Sequence, residues 1–468
     1  MMITLKVKVG QLSLAALFLV SGLSAPAAGL LALEDEDKEE QPEWLAVTGG
    51  DVFTGTGSYL RGATVLAKDG KIDSIGYDLF IPEEAERLDA GGMRVYPGLV
   101  AISSSGLLGG SGDLADTIDP FSSRMVLGLA AGITTTSQSN QVAKLKRGEL
   151  EGAVLSEKAF SGLTWSGAGG KRALKEKFET TATYLRAYRE WEELVKKDKE
   201  LKEPSKRGVD STVLAVLEGR ILAKFSANGR DDLLGIARLA QKYGFRPVIE
   251  GCGEGWAVAD ELGRAGAMAI VTPRYRRSKE ESLVRDGGSS IENAAILHLA
   301  GVSVAVIPSS KSVNLGGIAG RDIMHLIIEA GFAVRGGLPE KSAIDAITIQ
   351  PARMLGVGHR VGSLEVGKDC DLIVTDGDLL HYETFVQYAV VDGKLVYDKQ
   401  EELWFSHIRP RPEAPAPEES PVDAGERPED IEDDGEAGDD DEAGDDDEAG
   451  DEDEEDGDEG DEDEEGDD

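Results

Sequence analysis

The chain has 468 residues, enough for a large core-forming domain and a smaller companion. Its formal net charge of −40 is concentrated at one end: from Arg411 onward there are 34 acidic residues against two arginines, which leaves the remainder only mildly acidic. The absence of a basic stripe argues against a nucleic-acid partner. The two cysteines, Cys252 and Cys370, form no zinc-type cluster and fall in separate predicted domains, which argues against a disulfide.

Residues 1–27 read as an export signal. Lys6 and Lys8 give a positive start, residues 12–23 are apolar, and Ala25-Pro26-Ala27 offers a small-residue cleavage site. The apolar run is short for a bilayer span. The expected location is therefore the periplasm, the cell envelope or the medium, with an uncleaved N-terminal anchor as the alternative. No cysteine follows the run to carry a lipid. Residues 28–43 form an acidic, flexible lead-in.

Strand-forming segments follow at 44–53 and 62–67. Asp69-Gly70 predicts a tight hairpin into 72–75, and Leu88-Asp89-Ala90-Gly91-Gly92 with Val95 closes this small β unit. Pro97-Gly98 then breaks the chain. Leu99, Val100 and Ile102 predict a short buried strand whose end presents Ser103 and Ser105 on one face. Glycines 106, 109, 110 and 112 predict a loop, 122–131 a helix and 132–136 a strand. Residues 161–171 read as a loop. Residues 175–202, without Gly or Pro, predict a long charge-laced helix.

From there strand and helix alternate. Strands are expected at 220–225, 246–250, 267–272 and 302–307, and helices at 230–243, 256–264, 291–300 and 321–330. This rhythm argues for parallel strands with helices outside, as in a (β/α)8 barrel; a doubly wound open sheet shares the local pattern. A helix is expected over 339–355. The glycine-rich stretches at 106–112 and 316–317 lack the Gly-Lys-Ser/Thr ending of a phosphate loop.

Three groups of residues carry a family resemblance. Pro97-Gly98-Leu99-Val100-Ala101-Ile102-Ser103-Ser104-Ser105 resembles the first barrel strand of the amidohydrolase superfamily, imidazolonepropionase-like members included. Gly132-Ile133-Thr134-Thr135-Thr136 resembles its second. Residues 348–356, 362–378 and 390–397, including Gly362-Ser363-Leu364-Glu365-Val366-Gly367-Lys368-Asp369 and Val391-Asp392-Gly393-Lys394, resemble its C-terminal signature. The resemblance implies an α/β fold: a (β/α)8 TIM-like barrel over 97–350 and a β-sandwich built from 44–96 and 351–400. A disordered acidic tail follows at 401–468.

Family members bind a divalent metal such as zinc through two first-strand histidines, a fourth-strand Lys or Glu, one histidine each on strands five and six, and an eighth-strand aspartate. The metal lowers the pKa of bound water and polarises a carbonyl. Here the matching positions hold Ser103 and Ser105, then Ser226, then Gly251 with Glu250 one register away, and Ser309. Serine is a poor zinc ligand beside imidazole or thiolate. The five histidines form no HxH or HxxxH pair. No cofactor is expected. The expected function is a catalytically silent family member with a polar, ligand-binding barrel pocket made by Ser103, Ser105, Lys224, Ser226, Glu250, Gly251 and Ser309. The alternatives are a hydrolase of non-peptide carbon–nitrogen bonds of the cyclic amide type, acting through residues that no motif marks, and an interaction protein acting through its tail; a Ser–Lys nucleophile would need its base within hydrogen-bond reach, which spacing does not show.

The tail, nearly pure Asp, Glu, Gly and Ala beyond residue 430, lacks the apolar surface to offset its ordering entropy. Low-affinity capture of Ca²⁺ or cationic partners is its expected capacity, although it matches no EF-hand pattern. A homo-oligomer is compatible with the sequence.

Overall fold

The computed structural model describes residues 42–110, 112–199, 201–278, 286–314 and 321–402. The expected signal and acidic tail lie outside the described residues. No helix among the described residues is long and apolar enough to cross a membrane.

Both ends of the folded stretch build one eight-stranded sheet. In order across it run Lys394–Asp398, Val386–Val391, Leu372–Thr375, Arg94–Pro97, Trp44–Phe53, Tyr59–Lys68 and Lys71–Gly76, with Glu86–Asp89 beside Trp44–Phe53. The hairpin at Asp69-Gly70 forms as its composition predicts, both residues at positive φ (49° and 78°). The two halves meet where Arg94–Pro97 pairs antiparallel with Leu372–Thr375, Tyr96 opposite Ile373. Alternate side chains from both halves, including Val47, Val65, Val95, Leu372 and Val390, fill one shared core. The strands of the expected sandwich thus belong to a single hydrogen-bonded sheet.

Gly98 is the pivot out of that sheet. Its N–H donates to the Asp371 carbonyl at 3.0 Å, and a Cβ there would lie 2.1 Å from Thr134 Oγ1, so no larger residue fits. The next strand, Leu99–Ala101, runs parallel to Ile133–Gln138, which turns back through Gln141–Lys144 to Val154–Ser156. The hairpin after Gln138 turns on Ser139 and Asn140, both at positive φ. A second sheet of five parallel strands runs Ser161–Gly162, Ala223–Ala227, Pro247–Gly251, Met268–Val271 and Ser303–Val306.

Helices follow most of these strands, as the alternation predicts; Arg230–Tyr243 matches its expected bounds. The strand residues sort by parity. Phe225, Ile249, Ala269 and Val304 share a core with the helical Leu233, Ile236 and Ala237. Val248, Met268, Ile270, Ala305 and Ile307 face the other way and pack with Val100, Ile102, Ala352 and Met354. Each such side chain contributes about 1.5–3 kcal/mol by leaving water. Lys224, Ser226 and Glu250 lie on this inner parity.

Two helices differ from expectation. The long helix spans Ala168–Leu194, not 175–202: it starts through Gly169 and Gly170, and Leu194 is its last residue. The helix expected over 339–355 is two, Glu340–Asp345 and Ile349–Met354. Between them the Ala346 and Ile347 carbonyls accept the N–H groups of Val306 (3.0 Å) and Val100 (2.8 Å). Those bonds join the last strand of one sheet to the first strand of the other, which local helix propensity cannot foresee. On the opposite side the Ala159 N–H donates to the Asn140 carbonyl at 2.7 Å. The parallel strands therefore lie in two hydrogen-bonded sheets tied by single-residue links rather than in one continuous ladder.

Candidate functional site

Glu250 stands at the centre of the inner face. It comes from Pro247–Gly251, in register with Ser226 on one neighbouring strand and Ile270 on the other. Lys224 Nζ lies 2.6 Å from Glu250 Oε2, and Lys311 Nζ reaches Oε1. Lys224 also lies over the Phe160 ring, 5.3 Å from its centroid. Burial alone would push the Glu250 carboxyl up, but the hydrogen bonds and charges of the two lysines outweigh it and hold the group below its ordinary range. Glu250 is thus a carboxylate clamped between two ammonium groups, and the trio carries one net positive charge.

The serines distribute differently from expectation. The strand ends at Ala101, so Ser103 and Ser105 lie beyond it rather than at its end on one face. Ser103 is half-buried and Ser105 exposed, while Ser104 between them is buried, its Oγ without a partner among the described residues. Ser105 pairs with Ser312 in a single parallel bridge, its N–H donating to the Lys311 carbonyl at 2.8 Å. The backbone beneath Lys311 is therefore held by the first strand's extension. Ser226 is exposed, opposite Glu250. Ser309 is exposed and donates to the Arg321 carbonyl at 3.4 Å. The structure gathers Lys224, Ser226 and Glu250, and reaches Ser105 through Lys311; among the described residues no hydrogen bond joins Ser103 or Ser309 to that group.

The donor set does not fit a metal of the family type. At Gly251 the backbone has φ +96°, and a Cβ would lie 2.5 Å from Asn228 Oδ1, so this backbone has no room for a histidine. Glu250, one residue away, already has both oxygens on lysines. Among the described residues no group of three or more His, Cys, Asp or Glu is placed to hold a metal ion. His298 and His325 lie on the Asn293–Leu299 helix and the short Ile323–His325 turn. Nor do the groups form a nucleophile–base pair: Ser226 Oγ makes no hydrogen bond among the described residues, and the Lys224 ammonium is directed at Glu250.

Sequence reasoning missed Lys311. Its only signal was a lone charge inside Ser309-Ser310-Lys311-Ser312, past the end of an apolar strand. It also missed a second charged cluster. Lys144, fully buried, lies 2.8 Å from Asp369, 2.9 Å from Asp371 and 2.5 Å from Asp392. Asp369 also binds Lys71 and Arg360, at 3.0 and 2.7 Å. Burial opposes ionisation of Asp369, yet Lys144 and its other cationic neighbours bring it down to about 2. Asp371 is pushed up, chiefly by burial. This cluster ties the Gln141–Lys144 strand to the C-terminal part of the eight-stranded sheet.

Comparison with known proteins matches residues 261–400 to the amidohydrolase family model. A stretch of 110 residues is 32% identical to an amidohydrolase, tasK, of Hapsidospora irregularis, covering 22% of this chain and 11% of that protein. One of 100 residues is 35% identical to N-acetylglucosamine-6-phosphate deacetylase of Mus musculus, covering 21% of this chain and 22% of the enzyme. One of 84 residues is 38% identical to a probable imidazolonepropionase of Homo sapiens, covering 16% and 18%. The chain thus matches between 11% and 22% of the length of these curated relatives. An amidohydrolase structure from Thermotoga maritima MSB8 superposes with a TM-score of 0.59 at 23% identity, covering 76% of this chain and all of that one. At that identity the likeness speaks to the fold.

Proposed function

We propose that this chain of the amidohydrolase superfamily is a ligand-binding protein that has left metal-dependent hydrolysis behind. The carrying observation is the Lys224–Glu250–Lys311 clamp on the inner face. Where the family pattern calls for metal-binding histidines, this chain has Ser103, Ser105, Ser226, a glycine with no room for a side chain, and a carboxylate already engaged by two lysines. In this reading the five-stranded parallel sheet and the parallel pair of Leu99–Ala101 with Ile133–Gln138 belong to one (β/α)8 barrel, closed at Ala346–Ile347 and at Asn140. The barrel mouth takes a small polar ligand through the clamp and the exposed Ser226 hydroxyl. The protein is exported, and its acidic tail is a solvating appendage with weak affinity for cations.

The test is metal analysis of purified full-length protein together with turnover of cyclic amides and dipeptide-like substrates. The expected result is no stoichiometric metal and no hydrolysis. One equivalent of zinc, iron or nickel, or turnover lost in Ser226→Ala or Lys224→Ala, favours the alternative, a hydrolase of carbon–nitrogen bonds. The likeness to a deacetylase and to a probable imidazolonepropionase supports that second reading.

A further inference from the structure

A cavity of about 510 Å³ lies away from the inner face, bordered by the Ser123–Ala130 helix, the Leu326–Arg335 helix and the segment from Leu380 to Val386. Its floor is made of small residues, Ala130, Ala131 and Gly331. Its walls are apolar, with Ile328, Phe332 and Phe385 among them. Phe332 and Phe385 remain 36% exposed, so the opening is itself apolar. That size and lining suit an organic ligand of modest size rather than water.

The polar groups at this cavity share one character. Arg335 lines it and, among the described residues, forms no ion pair. His325 lines it as well. Its Nδ1 is taken by Asp322, whose other oxygen accepts the Asn314 N–H at 2.9 Å, so the ring is held in one orientation. Its Nε2 has no partner among the described residues. His381 lies at the same rim, stacked on Tyr382. The acidic groups nearby are engaged: Asp322 with His325, and Glu329 with Arg274 at 2.7 Å, whose guanidinium also covers the Phe332 ring.

From this complementarity we infer that the cavity binds an amphipathic carboxylate, its aliphatic body against Ile328 and Phe332 and its head group on Arg335 and His325. Arg335, exposed at the rim, supplies a guanidinium suited to a carboxylate, and a charge-assisted bond is the stronger kind. The site is independent of the clamp at Glu250, so the failure of either reading leaves the other standing.

Calorimetric titration of the full-length protein with octanoate, and in parallel with 1-octanol, tests this. Octanoate is expected to saturate one site per chain and to bind about tenfold more tightly than the alcohol, the worth of one charge-assisted bond. In Arg335→Ala the two ligands bind equally. Gly331→Leu abolishes binding of both; a Cβ at Gly331 meets only the Leu380 carbonyl at 3.7 Å, so the longer side chain enters the cavity without disturbing the backbone. A normal thermal unfolding profile for Gly331→Leu certifies the fold. No saturable octanoate binding, equal binding of acid and alcohol to the wild type, or undiminished binding in Gly331→Leu overturns the inference. So does a dimer that hides this face and excludes octanoate.

Discussion

Two charged clusters differ in how their central groups meet water. On the inner face one carboxylate sits between two lysines, and the side chains of Lys224 and Glu250 keep 22% and 21% of their surface exposed. At the seam with the eight-stranded sheet one lysine sits among three aspartates, and Lys144 keeps none. Water therefore screens the first cluster, and exchanging a partner there costs little. The second is dry at its centre, where Lys144 and Asp371 keep 0% and 1% of their side-chain surface, and meets water only at its edge, through Asp392, Lys71 and Arg360. A cluster with a dry centre serves to fix one part of the fold against another, whereas an open one remains available to a ligand.

The sharpest way to break this comparison is Lys144→Met. It leaves Asp371 in the dry centre without its cation, while Asp369 keeps Lys71 and Arg360, and is expected to cost about 3–5 kcal/mol in urea unfolding, the usual penalty for removing one partner of a buried set. A loss below about 1 kcal/mol, the range of exposed pairs, would show the seam to be wetter than its burial implies.

The next effect is a pH dependence. The carboxyl of Asp369 is lowered to about 2 in the fold. Its stabilisation is therefore fully present above the ordinary aspartate value near 3.8 and is lost as pH falls through about 2. About 2 kcal/mol should disappear over that window. Asp371, raised by burial, contributes in the opposite direction, its share being lost as pH rises. Urea midpoints from pH 5 to pH 2, with Asp369→Asn as the flattened reference, measure the difference; parallel curves for the two proteins refute it.

The smallest effect belongs to the open cluster. Glu250→Gln leaves Lys224 and Lys311 facing a neutral amide and should shift stability by about 1 kcal/mol or less. A loss near that of Lys144→Met would mean that the clamp, too, is part of the scaffold.

The sequence legible to simple rules was the part governed by local patterns. The helix at Arg230–Tyr243 follows from its own periodicity and from Gly244, which ends it in the left-handed region. The hairpin at Asp69-Gly70 needs only those two residues. The break at Ala346–Ile347 does not read locally, because carbonyls from an otherwise helical segment are claimed by strand residues 40 and 247 positions away. The site behaved likewise. The parity that turns Lys224 and Glu250 inward is visible in the strand pattern. The arrival of Lys311, and the closure of Gly251 by Asn228, depend on loops brought together only by the fold.

The pairing of Arg94–Pro97 with Leu372–Thr375 has a consequence in time. As the ribosome delivers the chain, the strands before residue 98 have no neighbour on that side until the segment at 372–375 emerges. An unpaired edge of this kind invites foreign strands, and closing so long a loop is slow. The nascent N-terminal half therefore waits, with its edge bare, for nearly the whole domain to be made. Holding the chain unfolded until its last strands are available would keep that edge from foreign partners.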